Sequence, residues 1–372
     1  MERMNARPSP PGSRGFATRV SPVLTCAFVA GWLFAGGRLA QALVIQANFD
    51  ASITNDPNAA TIIGTINAAK SVYEASFANP ITVTINFQST NIGLGQSLTY
   101  FSNLPYPDYL AALTAAATTT FDAAALAYLP TGPTNPVNGN GQMRVSTANL
   151  RALGFADANP PSGEPDGYIL LNTSLMNLDR NQIDPAKYDL FAVASHEMDE
   201  VLGFGSALNL LPNGAPPPTG PVKGLDLYRY DTNGVRSFDT GADSQAYFSL
   251  DGTNHWARFN QIGGVDFSDW WSGGSTPQVQ DAFATPGVTP NLGVELIELD
   301  VLGYELMAPT LTLACAEAGQ VVISWSPNTP GCVLQESDGL APPAWVNSPS
   351  GSIHPVTVAA TNAAKVYRLI QQ

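Results

Sequence analysis

Basic residues are scarce in this chain. Lys and Arg number 16 against 30 Asp and Glu, the formal net charge is −14, and only 12% of the 372 residues are charged. No basic cluster follows the N-terminal leader, which argues against a nucleic-acid partner, since such a surface needs grouped positive charge. Histidine is as rare, with His196, His255 and His354 the only three. Cysteine occurs three times, at Cys26, Cys315 and Cys332. Beyond the leader no stretch is long and apolar enough to span a bilayer.

What is present begins with an export signal. Residues 1–42 carry Arg3, Arg7, Arg14 and Arg19, then an apolar run from Val23 to Ala35. Ala40-Gln41-Ala42 fits a small-x-small cleavage site and leaves Leu43 as the mature start. The apolar run is short for a membrane anchor, and Cys26 within it follows Thr25 and does not read as a lipidated cysteine. Abundant Asn, Thr, Ser, Gly and Pro with little Lys suits a secreted or extracytoplasmic protein, with no membrane span after signal cleavage. Losing Cys26 with the leader leaves an even pair, so Cys315 and Cys332 are expected to form a disulfide.

The most informative stretch is Asp189 to Gly205, DLFAVASHEMDEVLGFG. It has no Gly or Pro before Gly203, Asp189 can cap its start, and Gly203 and Gly205 mark its end. On a helical wheel at about 100° per residue, Glu200 falls roughly 40° and Glu197 roughly 100° from His196. Phe191, Ala194, Met198, Val201 and Leu202 form the opposite, apolar arc. Residues i and i+4 share a helix face, so His196 and Glu200 can reach one ion, while Glu197 is placed to hold a water.

Around it the chain alternates. Leu43–Phe49 reads as a strand, and Asp56–Phe77 as a helix with Asp56 at its cap and Pro57 at its first position. Pro80–Phe87 alternates as a half-buried strand. Tyr106–Tyr128 reads as one or two helices, Pro130–Met143 as a loop, Val145–Leu153 as a short helix and Tyr168–Met176 as a strand beside the active helix. The Pro-rich loop Pro212–Pro221 is expected to wall a cleft. Asp226 lies in GLDLYRY between apolar neighbours, an odd place for an unpaired carboxylate: Arg229 or another group satisfies it, or it reaches a metal. Val294–Leu302 reads as a closing helix.

The pattern His196-Glu197-x-x-Glu200, followed by Leu202-Gly203, resembles the zincin metalloproteases and most closely their metzincin-like branch, with Glu200 where a second His is usual. The resemblance implies an exported bacterial zinc metalloendopeptidase acting on protein or peptide. It also implies a zinc-bound water, Glu197 as its general base, and His196 and Glu200 as zinc ligands. It makes Tyr168–Met176 the edge strand that pairs with extended substrate. The third ligand stays open between Asp226 and His255. The position ten residues after the first His is Ser206, a poor zinc ligand; imidazole chemistry favours His255, in a His255-Trp256 pair like that of leishmanolysin-like enzymes, and position favours Asp226. The loop in the place of the metzincin Met-turn contains no Met.

From Pro309 the texture changes to short strands between Gly, Pro and Asn turns. This resembles small C-terminal β-sandwich modules of exported bacterial proteins, with Trp325 and Trp345 as core residues and His354 at the surface. The expected fold class is therefore α+β. A zincin-like catalytic region with a mixed sheet and an active-site helix spans residues 43–308, and a small all-β sandwich spans residues 309–372. Two other readings remain: a non-catalytic binding or surface protein on a degenerate metalloprotease scaffold, and an adhesion protein whose working part is the C-terminal module.

Overall fold

A computed structural model describes residues 42–316, 319–339, 343–360 and 364–371. The expected export signal, with Cys26, lies outside the described residues. The remainder is mixed α and β, with several sheets and seven α-helices among the described residues.

The first sheet is mixed. β1 (Val44–Phe49) runs parallel to β2 (Thr82–Ser89), with Ile45 beside Val83 and Ala47 beside Ile85. On β2 the alternation Val83, Ile85, Phe87 is fully buried, as a strand with one face on a core requires. Between them lie a short α1 (Ala51–Thr54) and α2 (Ala59–Glu74). Ile62, Ile66, Ala69 and Tyr73 recur at helical spacing and bury one face of α2. The helix starts a few residues later than the sequence suggests: the Asp56 carboxylate accepts the Asn58 amide at 2.7 Å in a local turn, and Asn58 occupies the cap position.

β3 (Gly95–Thr99) leads to β4 (Phe101–Pro105), α3 (Tyr106–Ala116) and α4 (Thr120–Ala127); Thr119 and Asp122 form a capping box at the start of α4. β5 (Gln142–Ser146) pairs with β4, and α5 (Thr147–Ala152) follows. Next comes β6 (Gly167–Leu171), parallel to β2 on one side and antiparallel to β3 on the other, giving the order β1-β2-β6-β3. The strand expected over Tyr168–Met176 is thus an interior strand, and it ends at Leu171; Thr173–Leu175 is a 3-10 turn. With both edges taken it cannot add a peptide strand. The edge beside the active helix belongs to β3.

Short β7 (Met176–Asn177) and β8 (Tyr188–Asp189) pair in parallel and deliver the chain to α6 (Leu190–Leu202), the expected active helix. Ala194, Met198, Val201 and Leu202 are buried as the wheel requires. Asp189 stands at the cap position, but its side chain caps nothing; Oδ2 is held by Arg180 through Nε (2.9 Å) and Nη2 (2.5 Å). Two glycines set how close α6 lies to the sheet. A Cβ on Gly167 of β6 would come within 2.5 Å of Val201, and one on Gly95 of β3 within 2.9 Å of Val193.

After α6 come a 3-10 turn over Gly224–Tyr228 and a small sheet of β9 (Arg229–Tyr230), β10 (Tyr247–Phe248) and β11 (Ala257–Arg258). The loop over 212–221 does not wall the cleft described below. It is tied down elsewhere, where Asn138 and Asn140 donate to the carbonyls of Pro218, Thr219 and Gly220.

α7 (Val294–Val301) is buried at all eight positions, three of them carboxylates. Glu295 accepts from Trp270 Nε1, and Asp300 from Thr119 Oγ1 and the Leu306 amide. Neither oxygen of Glu298 has a partner. Burial, then the nearby Glu295 charge, pushes its pKa well above the carboxylate range, and burial with the Asp122 charge pushes Asp300 up to about 8. The unfolded chain releases such protons near pH ~4. Folded-state pKa values raised in this way give stability that is present below the unfolded pKa and lost as pH rises through the folded one. Glu298→Gln is therefore expected to match the parent in melting temperature at pH 4 and to exceed it at pH 8. Calorimetry at both pH values tests this, and a variant less stable at pH 8 would refute the account.

The remaining strands are β12 (Thr310–Cys315), β13 (Gln320–Ser326), β14 (Cys332–Ser337), β15 (Val346–Asn347), β16 (Val356–Ala359) and β17 (Val366–Gln371). They form two antiparallel three-stranded sheets, β12-β13-β16 and β15-β14-β17, around Ile323, Trp325, Cys332 and Leu334. The expected disulfide is not formed. Cys315 ends β12 in one sheet, whereas buried Cys332 begins β14 in the other with its sulfur 3.2 Å from Gln371 Oε1. His354, expected at the surface, is half-buried: its ring stacks on buried Trp325 with centroids 4.0 Å apart, while Nε2 meets Asn328 Oδ1 at 2.7 Å. No helix among the described residues is long and apolar enough to cross a membrane.

Candidate metal centre

α6 presents His196, Glu197 and Glu200 to a cavity of about 410 Å³ between β3, the helix and the segments 264–269 and 277–290. His196 Nε2 lies 3.9 Å from Glu200 Oε1, the i,i+4 approach that the spacing anticipates. The third group at this point is Asp269, whose Oδ2 is 3.8 Å from the same Nε2. Ligand atoms of His196, Glu200 and Asp269 all lie within 4.8 Å of one another.

Neither third ligand expected from the sequence is here. Asp226 is buried as a structural acceptor: Oδ1 takes the Ser206 hydroxyl (2.5 Å), and Oδ2 takes the amides of Ala207 (3.0 Å) and Lys223 (2.9 Å). Those donors answer the question its apolar neighbours raise, and Asp226 is not among the groups that gather at His196. His255 is exposed and lies flat on the Tyr247 ring, with centroids 4.3 Å apart and planes 9° from parallel.

The surrounding groups hold the three side chains in place. His196 Nδ1 is 3.1 Å from the Val279 carbonyl, an acceptor that fixes the proton on Nδ1 and leaves the Nε2 lone pair facing the carboxylates. The Ser97 hydroxyl on β3 donates to Glu200 Oε2. Asp269 Oδ1 is approached by Gln280 Nε2 at 3.4 Å, while Glu295 of α7 accepts from the Gln280 amide (3.2 Å) and Trp270 Nε1 (3.0 Å). One short run, Val279-Gln280, thus orients a ligand on either side. Ser97→Ala removes one such support without touching a ligand. It is expected to weaken metal affinity ~10-fold, the lower end of what loss of an outer-shell partner costs. Competition with a chelating dye measures this; unchanged affinity would mean that Ser97 does not position Glu200.

Glu197 is buried at one side of the three, close behind β3: a Cβ at Gly95 would collide with its Oε1. Burial first, and then the charges of Glu200, Asp269 and Asp266, push its pKa well up. Burial and the Glu200 charge likewise raise Asp269, and raise Asp266 to about 6. Such crowding of buried like charges is costly in a protein without a counter-ion, and a divalent cation among them reverses the sign of the local field. The donor set is one that zinc accepts: one imidazole and two carboxylate oxygens, each oriented by another group, could supply three ligands to a divalent cation.

No known protein family matches this chain, and no curated protein or solved structure is significantly similar to it. The reading of the site rests on its own chemistry.

Sequence reasoning missed Asp269 and the strand β3. Asp269 did carry a signal, since it stands between Phe267 and the pair Trp270-Trp271, the same burial cue that drew attention to Asp226. At the cavity rim, Leu210 has φ 65°, a strained conformation for a branched residue, and is 69% exposed.

Proposed function

We propose that the protein is an exported zinc-dependent peptidase, built on a zincin-like catalytic region. The observation that carries this reading is the convergence of His196, Glu200 and Asp269 at the cavity with the carboxylate of Glu197 beside them. His196, Glu200 and Asp269 would hold the zinc, which when bound supplies Lewis acidity toward a carbonyl and a water. Glu197 would accept a proton from the attacking water and return it to the leaving amine, the role that its place beside the three groups fits. β3 lines the cavity through Gly95, Gln96 and Ser97 and is the edge of its sheet, so its backbone groups are available to an extended peptide.

The purified protein is expected to contain one zinc per chain by elemental analysis and to cleave unfolded protein substrates, with both properties removed by chelation and restored by zinc. A chain that holds no metal after equilibration with zinc would sink the reading and leave the non-catalytic scaffold as the better account.

A further inference from the structure

The cavity holds more acid than the proposed chemistry uses. His196, Glu200 and Asp269 are assigned to the metal and Glu197 to proton transfer, yet Asp189, Asp266 and Asp281 also line the cavity, and among the described residues no Lys or Arg does. Arg180 is spent on Asp189 at one end of the cavity, and Lys223 interacts with Glu200 and Asp266 and rests against the Phe101 ring 4.8 Å away. Asp281 has no ion-pair partner among the described residues. It is 6% exposed; Oδ2 accepts the Gln278 amide at 3.0 Å, and among the described residues no donor reaches Oδ1. Asp281 therefore remains without an ion-pair partner among the described residues even when a divalent cation balances Glu200 and Asp269.

The remaining lining mixes neutral polar groups, Gln96, Ser97, Gln278 and Thr285, with aliphatic side chains that include Val193, Val279 and Val288. An aliphatic wall beside a buried, half-satisfied carboxylate matches a long side chain that is greasy along its stem and positive at its tip. About 410 Å³ is enough room for one such side chain and the adjoining backbone. An acidic side chain in the same place would meet Asp281 and Asp266 at close range in a poorly solvated pocket, a repulsion that discriminates as strongly as the attraction does.

We propose that this cavity is a cation-selecting specificity pocket in which Asp281 receives the ammonium or guanidinium group of a Lys or Arg side chain of a peptide. The inference rests on the hydrolytic reading in taking the ligand to be a peptide, and it adds the substrate class. Asp281 determines specificity here; it is neither a metal ligand nor a proton carrier.

Binding is measured first, on the zinc-loaded Glu197→Gln protein, by calorimetric titration with hexapeptides identical except for one central Lys, Leu or Glu. The Lys peptide is expected to bind ~10-fold or more tightly than the Glu peptide. Asp281→Asn, in the same background, is expected to bring the two within ~3-fold, and Asp281→Glu, which keeps the charge, to retain most of the preference. Zinc content and near-UV circular dichroism establish that each variant is folded and loaded. Equal binding of the Lys and Glu peptides, binding of none, or an unchanged ratio in Asp281→Asn overturns the pocket. Hydrolysis of the same peptides by the parent separates the two ideas. Selective binding without cleavage defeats the hydrolytic reading alone, whereas cleavage of the Lys and Glu peptides at equal kcat/KM defeats the pocket alone.

Discussion

Glu197→Gln is expected to leave a folded protein with its zinc in place and to lower peptide hydrolysis at least ~10²-fold, the usual yield of a positioned general base. Glutamine keeps the size of the side chain, so the tight approach of β3 at Gly95 is not disturbed. It also removes one of the buried negative charges that crowd the site. The variant should therefore be no less stable than the parent, and more stable when zinc is stripped. Activity measured as kcat/KM, with zinc content on the same sample, decides the matter. Near-normal hydrolysis by a zinc-loaded variant would remove Glu197 from the mechanism, whatever the fate of the metal site.

Asp269→Ala is expected to abolish stoichiometric zinc binding and, with it, hydrolysis. Two further variants give the contrast that makes the result diagnostic. Asp226→Ala should keep the metal but lose stability, on the order of 3 kcal/mol, because the Ser206 hydroxyl and the amides of Ala207 and Lys223 are left buried without their acceptor. His255→Ala should change neither, since the ring lies exposed on Tyr247. Zinc retained by Asp269→Ala and lost by Asp226→Ala would reverse the assignment made here.

The parts of the site legible in the sequence are those written in one helix. His196, Glu197 and Glu200 share a face because α6 is an uninterrupted run with a clear apolar arc, and local periodicity is enough to place them. Asp269 was not legible because nothing local brings it to His196. Its position depends on Trp270 and Gln280 being held by Glu295, a contact between segments far apart in the chain. The burial cue that would have found it pointed equally well to Asp226, and a buried carboxylate looks the same in sequence whether amides or a metal satisfy it.

The sheet shows the same division. β2 was evident from alternating Val83, Ile85 and Phe87. β3 was not: Gly95-Gln96-Ser97-Leu98-Thr99 has little strand propensity, and its state is imposed by the ladder with β6 and by α6 packed above it. Strand order cannot be read from a strand's own residues, so the edge position that the resemblance implies for Tyr168–Met176 has no support in that stretch itself. In the C-terminal strands the cysteine count suggested a bond, but the pairing put Cys315 and Cys332 into different sheets.

The segment after α7 returns to the end of α2: Leu306 bridges to Phe77, the Ala78 amide donates to the Glu305 carbonyl, and the Met307 amide donates to that of Ser76. Just before this seam stands Glu295, on which Trp270 and Gln280 depend. During synthesis α6 is complete long before Glu295 exists; at ~5–20 residues per second the interval is roughly 5–20 s. A growing chain thus carries His196 and Glu200 without the support that sets Asp269. On the hydrolytic reading, the centre stays unassembled until the polypeptide around it is nearly finished, and a nascent chain is spared its own activity.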